Sequence, residues 1–462
     1  MNAKTSTIGS APIKDARVLG KPKMLILGLQ HMFAMFGATV LVPILVQSYG
    51  LPLNTQTTLF FAGFGTLFFH FCTKLKVPAF LGSSFAFLGG FSAMAELSSG
   101  MYATMEPSEK LQYACGGIVI AGLLYVILAA IIKAVGVHRV MHFLPPVVTG
   151  PIIILIGLNL APSAVSNASS CWWLALVSMA IIIVANIWGR GMIKIIPILL
   201  GVVGGYVVAL CAGMVDFSGF AGSSLLTGEN AVLGLQPFLK NFSGSVAKFD
   251  LTAILVMAPI AIASMMEHIG DVSAISATVG ENFIEDPGLH RTLIGDGVAT
   301  ALAGLFGGPA NTTYGENTGV LVLSRVHDPR VVRLAAIYAI ILSFSPAFAH
   351  LVNTIPSAII GGVSFILYGM ISAIGVRNVV ENHVDFTNSR NLIIAAVILV
   401  SALGFNSVGG LTFAVAGVSI NLSGLAIAAI VGILLNAILP GNDYEFDSAD
   451  GADAPSSGNL QV

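Results

Sequence analysis

The stretch Asn311–Gly319, NTTYGENTG, interrupts an otherwise apolar part of the chain. Its first half is polar and β-branched, and its second half places Gly315 and Gly319 around an acidic residue. This composition favours a short extended strand leading into a short helix, whose first backbone N–H groups are free to bind a ligand. A second glycine-broken stretch, Leu81–Ser84 (LGSS), lies in the first half of the chain. The sequence therefore predicts two interrupted segments, one in each half.

The composition places both segments in a membrane. Only 9% of the 462 residues are Asp, Glu, Lys or Arg, against about 25% in soluble domains. Hydrophobic residues make up 56%, and apolar runs recur at the length of a bilayer span. This excludes nucleic-acid binders, disordered chains and secreted disulfide scaffolds. The prediction is an all-α polytopic membrane protein.

Fourteen apolar segments can be recognised between polar breaks. They cover roughly 24–46, 57–72, 79–95, 111–132, 143–162, 171–188, 195–215, 251–275, 292–308, 309–324, 334–352, 357–376, 391–406 and 418–438. The chain then divides into an N-terminal tail (1–23), seven spans (24–215), a loop (216–250), seven spans (251–440) and an acidic tail (441–462) that is predicted to be disordered.

The basic residues predict the orientation of these segments. With the N-terminus in the cytoplasm, seventeen of the twenty Lys and Arg residues lie on the cytoplasmic side. The other three, Lys110, Lys240 and Lys248, lie outside. Because Lys and Arg in short loops concentrate on the cytoplasmic side, we expect both termini there and the loop 216–250 outside.

Two matches between the halves indicate an internal repeat. Leu144–Gly150 (LPPVVTG) resembles Ile355–Gly361 (IPSAIIG), and Leu81–Ser84 corresponds to Tyr314–Asn317 (YGEN). An odd number of spans per repeat places the two halves in opposite orientations. Inverted repeats that carry a broken segment at the same place are typical of transporters with a midplane binding site.

Four acidic residues lie within or at the mouth of apolar segments, namely Glu267, Asp271, Asp296 and Glu316. No Lys or Arg lies within any predicted span. A carboxylate without a cationic partner in a low-dielectric surrounding resists ionisation. Glu267 and Asp271 share one helix face, where a proton can be exchanged between them. These acids predict proton traffic, although a cap or an interhelical hydrogen bond competes with this interpretation, most of all for Asp296.

The remaining chemistry-bearing residues give weaker signals. His31 lies in the first span, where a lone histidine is more often a packing residue than a ligand. The other eight histidines, His268 among them, lie at segment ends or beside a stronger candidate and receive no role. The sequence holds no Cys and His cluster, no phosphate-binding loop and no HExxH pattern, so it predicts no metal site and no cofactor.

Five stretches carry a resemblance to a known family. They are Gln30–Pro43 (QHMFAMFGATVLVP), Leu81–Phe87 (LGSSFAF), Glu267–Gly270 (EHIG), Asp286–Arg291 (DPGLHR) and Thr312–Gly319 (TTYGENTG). The chain resembles the nucleobase/ascorbate transporter family, and within it the bacterial uracil and pyrimidine permeases. The resemblance implies fourteen spans in two inverted repeats, a core and a gate domain, and short strands in spans 3 and 10. It also implies a bacterial inner-membrane location. Family members often form homodimers, but no residue in this sequence establishes one.

The resemblance also implies the substrate contacts. Glu267 and Glu316 would hydrogen-bond the imide and carbonyl edge of a nucleobase, and Phe85, Tyr314 and Gly315 would contribute backbone contacts. Uracil presents alternating N–H and C=O groups in one plane, so carboxylates accept from the former and backbone amides donate to the latter. An aromatic ring such as that of Phe85 stacks on the face of the base.

Further positions would support the site and couple protons. His31 corresponds to a family histidine in the first span, and Asn317 to the motif Asn that follows the acidic or amide residue. Asp271 stands where uracil permeases commonly carry His, and Asp there and at position 296 is more typical of purine transporters and some pyrimidine permeases. Purine members, however, usually carry Gln or Asn in place of Glu316.

The prediction from all of this is a proton-coupled symporter that imports uracil by alternating access. The alternative within the family is a permease for xanthine, uric acid or a broader set of bases. An anion transporter of the sulfate type would need a cationic or N–H-lined site without acidic residues. An intramembrane enzyme would need a nucleophile with its base, or a set of metal ligands. Broken helices in inverted repeats suit alternating access better than the continuous pore of a channel.

Overall fold

The computed structural model describes residues 12–98, 100–216, 245–415 and 418–441. Residues 1–11 of the predicted N-terminal tail lie outside the described ranges. So do most of the predicted external loop 216–250 and nearly all of the predicted acidic tail 441–462.

In the described part of the first half, the regular elements are helices and one short strand. Its elements are α1 (Lys21–Ser48), α2 (Thr55–Cys72), β1 (Leu81–Ser83), α3 (Leu88–Glu96), α4 (Pro107–Val135), α5 (Val137–Phe143), α6 (Pro146–Ser169), α7 (Trp172–Ile187), α8 (Met192–Ile195) and α9 (Pro197–Cys211). The predicted segment 79–95 thus consists of a strand followed by a nine-residue helix.

The second half adds a strand at the corresponding place and a hairpin near its end. Its elements are α10 (Leu251–Met257), α11 (Ile260–Val279), α12 (Leu289–Leu305), β2 (Asn311–Thr313), α13 (Gly315–Ser324), α14 (Pro329–Ser343), α15 (Pro346–Asn353), α16 (Ser357–Glu381), α17 (Ser389–Ser407), β3 (Leu411–Val415), β4 (Val418–Leu422) and α18 (Gly424–Ile438). Strands β3 and β4 pair antiparallel.

Many helices are long and apolar enough to cross a bilayer. Within the described residues, six candidate spans meet this test by length and composition, and a bent pair brings the number to seven. Three shorter apolar helices, α7, α9 and α18, accompany them. The protein is therefore a multi-pass membrane protein built mainly of helices.

Prolines break two of the predicted segments. The segment 251–275 is interrupted between α10 and α11, where Pro259 has no N–H to donate to a helical hydrogen bond. The segment 334–352 is split between α14 and α15, which meet at 86° just before Pro346. The run 251–275 still lies within one candidate span, Leu251–Val279, as the sequence predicted. The run 334–352 does not form the one straight span that was predicted, because apolar composition does not register a break of the backbone.

The helices pack in two groups that each draw on both halves of the chain. The first group contains α1, α2, α4, α12 and α14, with extensive contacts between α4 and α12 and between α2 and α14. The second group contains α6, α7, α9, α16, α17 and α18, with its most extensive contact between α6 and α16. The two broken segments and α11 lie where these groups meet.

Glycines allow the closest helix contacts in both groups. A Cβ at Gly122 of α4 would lie 2.4 Å from the carbonyl oxygen of Gly297 in α12. A Cβ at Gly157 of α6 would lie 2.2 Å from the carbonyl oxygen of Tyr368 in α16. Small residues at membrane helix contacts let backbones approach, so these positions fix how α4 meets α12 and how α6 meets α16.

Candidate binding site

The two short strands form one antiparallel pair in the interior of the protein. Leu81 pairs with Thr313, Gly82 with Thr312 and Ser83 with Asn311. The ladder is extended by two further bonds, because the backbone N–H of Ser84 donates to Ala310 O (2.8 Å) and that of Tyr314 to Phe80 O (2.9 Å). Non-helical backbone at membrane depth is tolerated where protein buries it, and here each strand satisfies the other.

Gly82 of β1 leaves room for the large side chain of Tyr314, the residue that follows β2. A Cβ at Gly82 would lie 2.2 Å from the ring of Tyr314, so this ring covers the glycine directly. The Tyr314 hydroxyl donates to the carbonyl oxygen of Ser83 (3.0 Å) and lies 3.3 Å from the Thr39 hydroxyl, which donates to it. Tyr314 is thereby fixed at the start of α13.

A cavity of about 140 Å³ opens beside the strand pair. Its polar wall comes from α11, β2 and the start of α13, together with the segment after β1. The residues of this wall include Phe85, Glu267, Gly270, Asp271, Thr313, Tyr314, Gly315 and Glu316. The cavity is smaller than the ~300–1,000 Å³ usual for drug-sized ligands, so it suits one small ring.

The opposite wall is apolar. This wall is formed by Ile153 of α6 and by Ile371 and Ile374 of α16. Polar residues return at the end of α16, where Arg377, Asn378, Glu381 and Asn382 line the cavity mouth. The guanidinium of Arg377 donates to Glu381 one helical turn away (2.6 Å).

Glu267 has an unused hydrogen-bonding atom at this cavity. Its Oε2 is buried and has no hydrogen-bond partner among the described residues. Buried polar atoms in proteins are nearly always hydrogen-bonded, so an unpaired acceptor on a residue that lines a cavity indicates a donor supplied by a ligand or by water. Glu267 and Asp271 lie one turn apart on α11, and Glu316 faces the same space, so ionisation of all three together is disfavoured.

His31 and Asn317 lie behind the polar wall. Both are buried, and the Asn317 side-chain amide donates to His31 O (3.0 Å) and lies 3.2 Å from His31 Nδ1. These contacts tie α1 to the first turn of α13. Neither residue lines the cavity.

Comparison with known proteins identifies the chain. A protein-family model described as "Permease family" matches residues 22–410. The chain belongs to this permease family. The resemblance to the nucleobase/ascorbate transporters is thereby confirmed, and the protein is a transporter rather than an enzyme.

Named relatives match the permease over nearly its whole length. It is 41% identical to the uracil permease of Bacillus caldolyticus over 438 residues, which cover 93% of this chain and 94% of the relative. It is 41% identical to the uracil permease of Bacillus subtilis (strain 168) over 425 residues, covering 89% and 91%. It is 36% identical to the putative pyrimidine permease RutG of Escherichia coli (strain K12) over 441 residues, covering 94% and 93%.

Two solved structures have a similar fold. The transmembrane domain of the cyanobacterial bicarbonate transporter BicA matches with a TM-score of 0.56 at 16% identity, covering 92% of the permease and 99% of that chain. SLC26A9 matches with a TM-score of 0.63 at 11% identity, covering 92% and 66%. At such low identity these likenesses concern the fold alone.

The permease places Asp296 away from its cavity and beside a partner that the sequence did not indicate. Asp296 of α12 and His268 of α11 are both 0% exposed, and His268 Nδ1 lies 2.9 Å from Asp296 Oδ2. The sequence assigned His268 no role and treated the four acids as lacking a basic partner. For Asp296 that was wrong, because 28 residues of chain separate it from the histidine and no local pattern relates the two.

The end of α16 is a second feature that the sequence missed. The predicted span ended at residue 376, whereas the helix continues to Glu381 and carries Arg377 to the cavity. Tyr368 of the same helix is buried, and its ring meets that of Phe85 edge-on at 6.0 Å. An amphipathic end to span 12, with Arg377 and Glu381 four residues apart, was the available signal.

The structure thus brings six of the predicted site residues to one cavity, namely Phe85, Glu267, Asp271, Tyr314, Gly315 and Glu316. The other three, His31, Asn317 and Asp296, lie behind that wall. Within the described residues, no group of three or more His, Cys, Asp or Glu side chains is placed to hold a metal ion. The functional roles of all nine residues stay predictions.

Proposed function

We propose that the permease imports uracil together with protons. The observation that carries the proposal is a cavity for one small ring that is lined by Glu267, Glu316, Tyr314 and Gly315, with Oε2 of Glu267 buried and unpaired among the described residues. Relatives named uracil permeases, 41% identical over about nine-tenths of the chain, support the same substrate.

The polar wall has the chemistry that uracil requires. Glu267 and Glu316 accept hydrogen bonds from the ring N–H groups, and backbone N–H groups at the start of α13 donate to the carbonyl oxygens. The ring of Phe85 supplies an aromatic surface beside this wall. Three carboxylates would repel an anion, which argues against the anion-transporter alternative.

The size of the cavity favours a pyrimidine over an oxopurine. Xanthine and uric acid carry a second fused ring, and a cavity of about 140 Å³ leaves little room for it. Asp271, at the position where purine transporters also carry Asp, keeps the oxopurines as competitors to be tested.

Protons would couple to uracil through the acids of the polar wall. Two adjacent carboxylates hold one proton between them more readily than two negative charges. In the proposed cycle, protonation of the set formed by Glu267, Asp271 and Glu316 precedes uracil binding. Release of uracil and a proton into the cytoplasm completes the import step.

The proposed architecture is fourteen spans in two inverted repeats, with domain limits at 24–215 and 251–440 and both termini in the cytoplasm. The packing supports a two-fold relation, because exchanging each span for its counterpart seven spans later reproduces the main contacts. The contact of α2 with α14 becomes that of α12 with α4, and that of α6 with α16 maps onto itself. The first helix group would then be the core, the second the gate, and rocking between them would give alternating access.

Radiolabelled uracil uptake into cells that lack other uracil transport tests the proposal. The wild type should accumulate uracil, an uncoupler should abolish accumulation, and unlabelled uracil should compete better than xanthine or uric acid. Glu267→Gln should reach the membrane in normal amounts and lose uptake. Accumulation that persists with the uncoupler would refute proton coupling, and stronger competition by xanthine would reassign the substrate.

A further inference from the structure

His268 is in contact with two other elements that the cavity wall depends on. It lies on α11 directly after Glu267, and the helical turn of about 100° per residue directs the two side chains to different faces. Its Nδ1 lies 2.9 Å from Asp296 Oδ2 on α12 and 3.2 Å from Thr313 Oγ1 on β2. One ring nitrogen thus joins three elements.

Thr313 connects this contact to the cavity. Its side chain borders the cavity on the same wall as Asp271. Thr313 directly precedes Tyr314, Gly315 and Glu316, the part of the wall that comes from β2 and α13. A shift of Thr313 would therefore move Glu316 relative to Glu267.

The opposite end of β2 is fixed separately. The Thr300 hydroxyl of α12 accepts from the backbone N–H of Asn311 (3.1 Å) and lies 3.3 Å from its carbonyl oxygen, to which it donates. With its first residue held by α12 and its backbone paired with β1, the strand gains a side-chain anchor at its C-terminal end from the contact of Thr313 with His268.

We propose that His268, oriented by Asp296, is a positioning residue that holds Thr313 and so sets the spacing of Glu267 and Glu316 across the cavity. The proposal deepens the proposed function and rests on it for the identity of the substrate. Asp296 acts through the histidine, because a carboxylate 2.9 Å from Nδ1 favours the tautomer that carries its hydrogen on that nitrogen, which is also the nitrogen 3.2 Å from the Thr313 hydroxyl oxygen.

Burial argues that this histidine has more than a packing role. His268 is 0% exposed and lies near the rings of Phe69 and Tyr125, at 6.2 and 6.5 Å between centroids. Burying an imidazole and a carboxylate costs free energy that a leucine of similar volume would avoid. The burial of His268 and Asp296 despite this cost is explained if their hydrogen-bonding atoms position β2.

The test compares variants that keep or remove the hydrogen-bonding atoms. His268→Asn keeps a polar atom near the place of Nδ1, and Thr313→Ser keeps the hydroxyl, whereas His268→Leu and Thr313→Val remove them. Thr292→Val is the matched control, because Thr292 is a buried residue of α12 whose hydroxyl bonds only the Leu289 carbonyl among the described contacts.

Two measurements on the purified full-length protein separate the inference from the proposed function. Hydrogen–deuterium exchange of residues 311–316 reports the strand without any substrate, and equilibrium binding of radiolabelled uracil reports the site. His268→Leu and Thr313→Val should each speed exchange and weaken uracil binding about tenfold, with His268→Asn, Thr313→Ser and the control within about threefold of wild type. The double variant His268→Leu with Thr313→Val should be no weaker than either single change.

Unchanged exchange in both apolar variants would overturn the inference whatever the substrate is. Additive losses of uracil binding in the double variant would also overturn it, because the two residues would then act independently. Altered exchange in the apolar variants, combined with no uracil binding by the wild type, would support the positioning role and refute the proposed substrate.

Discussion

The cavity wall formed by α11, β2 and α13 carries three carboxylates and the start of a helix, whereas the wall formed by α6 and α16 carries isoleucines, with polar residues only at the end of α16. Hydrogen bonds are directional and require fixed geometry, while apolar contact is nondirectional and tolerates sliding. The difference indicates that recognition of the proposed substrate belongs to the wall of α11, β2 and α13. The second group supplies a surface that can move past a bound ligand without breaking polar contacts, as the proposed alternating access requires.

The sharpest test of this contrast removes a carboxylate from the polar wall. Glu316→Gln removes the negative charge and replaces one of the two acceptor oxygens with an N–H donor. We expect uracil uptake to fall at least 100-fold, equivalent to about 2.8 kcal/mol. Uptake rates at matched protein levels measure it.

Glu281→Gln is the control for that change, because Glu281 is exposed and pairs with Lys14 at 2.6 Å. It should stay within about twofold of wild type. Equal losses in both variants would show that the effect is general to the fold and that the polar wall has no special part in recognition.

A second test disturbs the polar wall through its backbone. Gly82→Ala places a methyl group 2.2 Å from the ring of Tyr314, within a paired strand that cannot move aside easily. We expect an overpacking cost of about 1–3 kcal/mol, a lower melting temperature and about tenfold weaker uptake. Thermal unfolding in detergent and uptake are measured together.

Gly89→Ala is the matched glycine control, because nothing lies within 4 Å of a Cβ built at Gly89 in α3. This variant should unfold at or above the wild-type temperature, since alanine favours a helix over glycine by about 1 kcal/mol. A wild-type melting temperature for Gly82→Ala would mean that Tyr314 is not confined by this strand.

A third test truncates the apolar wall. Ile374 of α16 is 46% exposed, so Ile374→Ala removes little buried area and no hydrogen bond. The apparent KM for uracil should change by less than about threefold. Concentration-dependent uptake gives the value, and an increase beyond tenfold would place recognition on both walls.

The smallest effect is expected outside the membrane-spanning segments. A hydrogen bond from Lys76 holds the pKa of the Asp286 carboxyl below its usual value, in the turn before α12. A carboxylate with a lowered pKa stabilises the folded state above the pKa of the unfolded chain, and this contribution is lost as pH falls through the folded pKa. Between about pH 5 and pH 8 it is therefore constant.

Asp286→Asn should accordingly lower uptake by the same factor, less than about twofold, at every pH in that range. The pH profile of uptake should keep its shape, because any dependence in this range would come from the acids of the polar wall. A profile that shifts with Asp286→Asn would place part of the proton response at this exposed ion pair.

Much of the permease follows from its sequence alone. Low charge and long apolar runs determine the membrane class, because a bilayer accepts little else. The glycine-broken stretches around Gly82 and Gly315 already indicated interrupted segments, and the same motifs led to the permease family. Glu267 and Asp271 share a helix face by their spacing alone, since helical periodicity is local.

Tertiary structure decided which groups meet across long chain separations. It separated Asp296 from the other three acids and placed it beside His268, it opposed the polar wall with isoleucines of α16, and it carried Arg377 to the cavity mouth. None of these contacts follows from a periodic pattern. They depend on glycine-mediated helix packing and on strand pairing between residues more than 200 positions apart. Local sequence patterns do not reveal contacts over such separations.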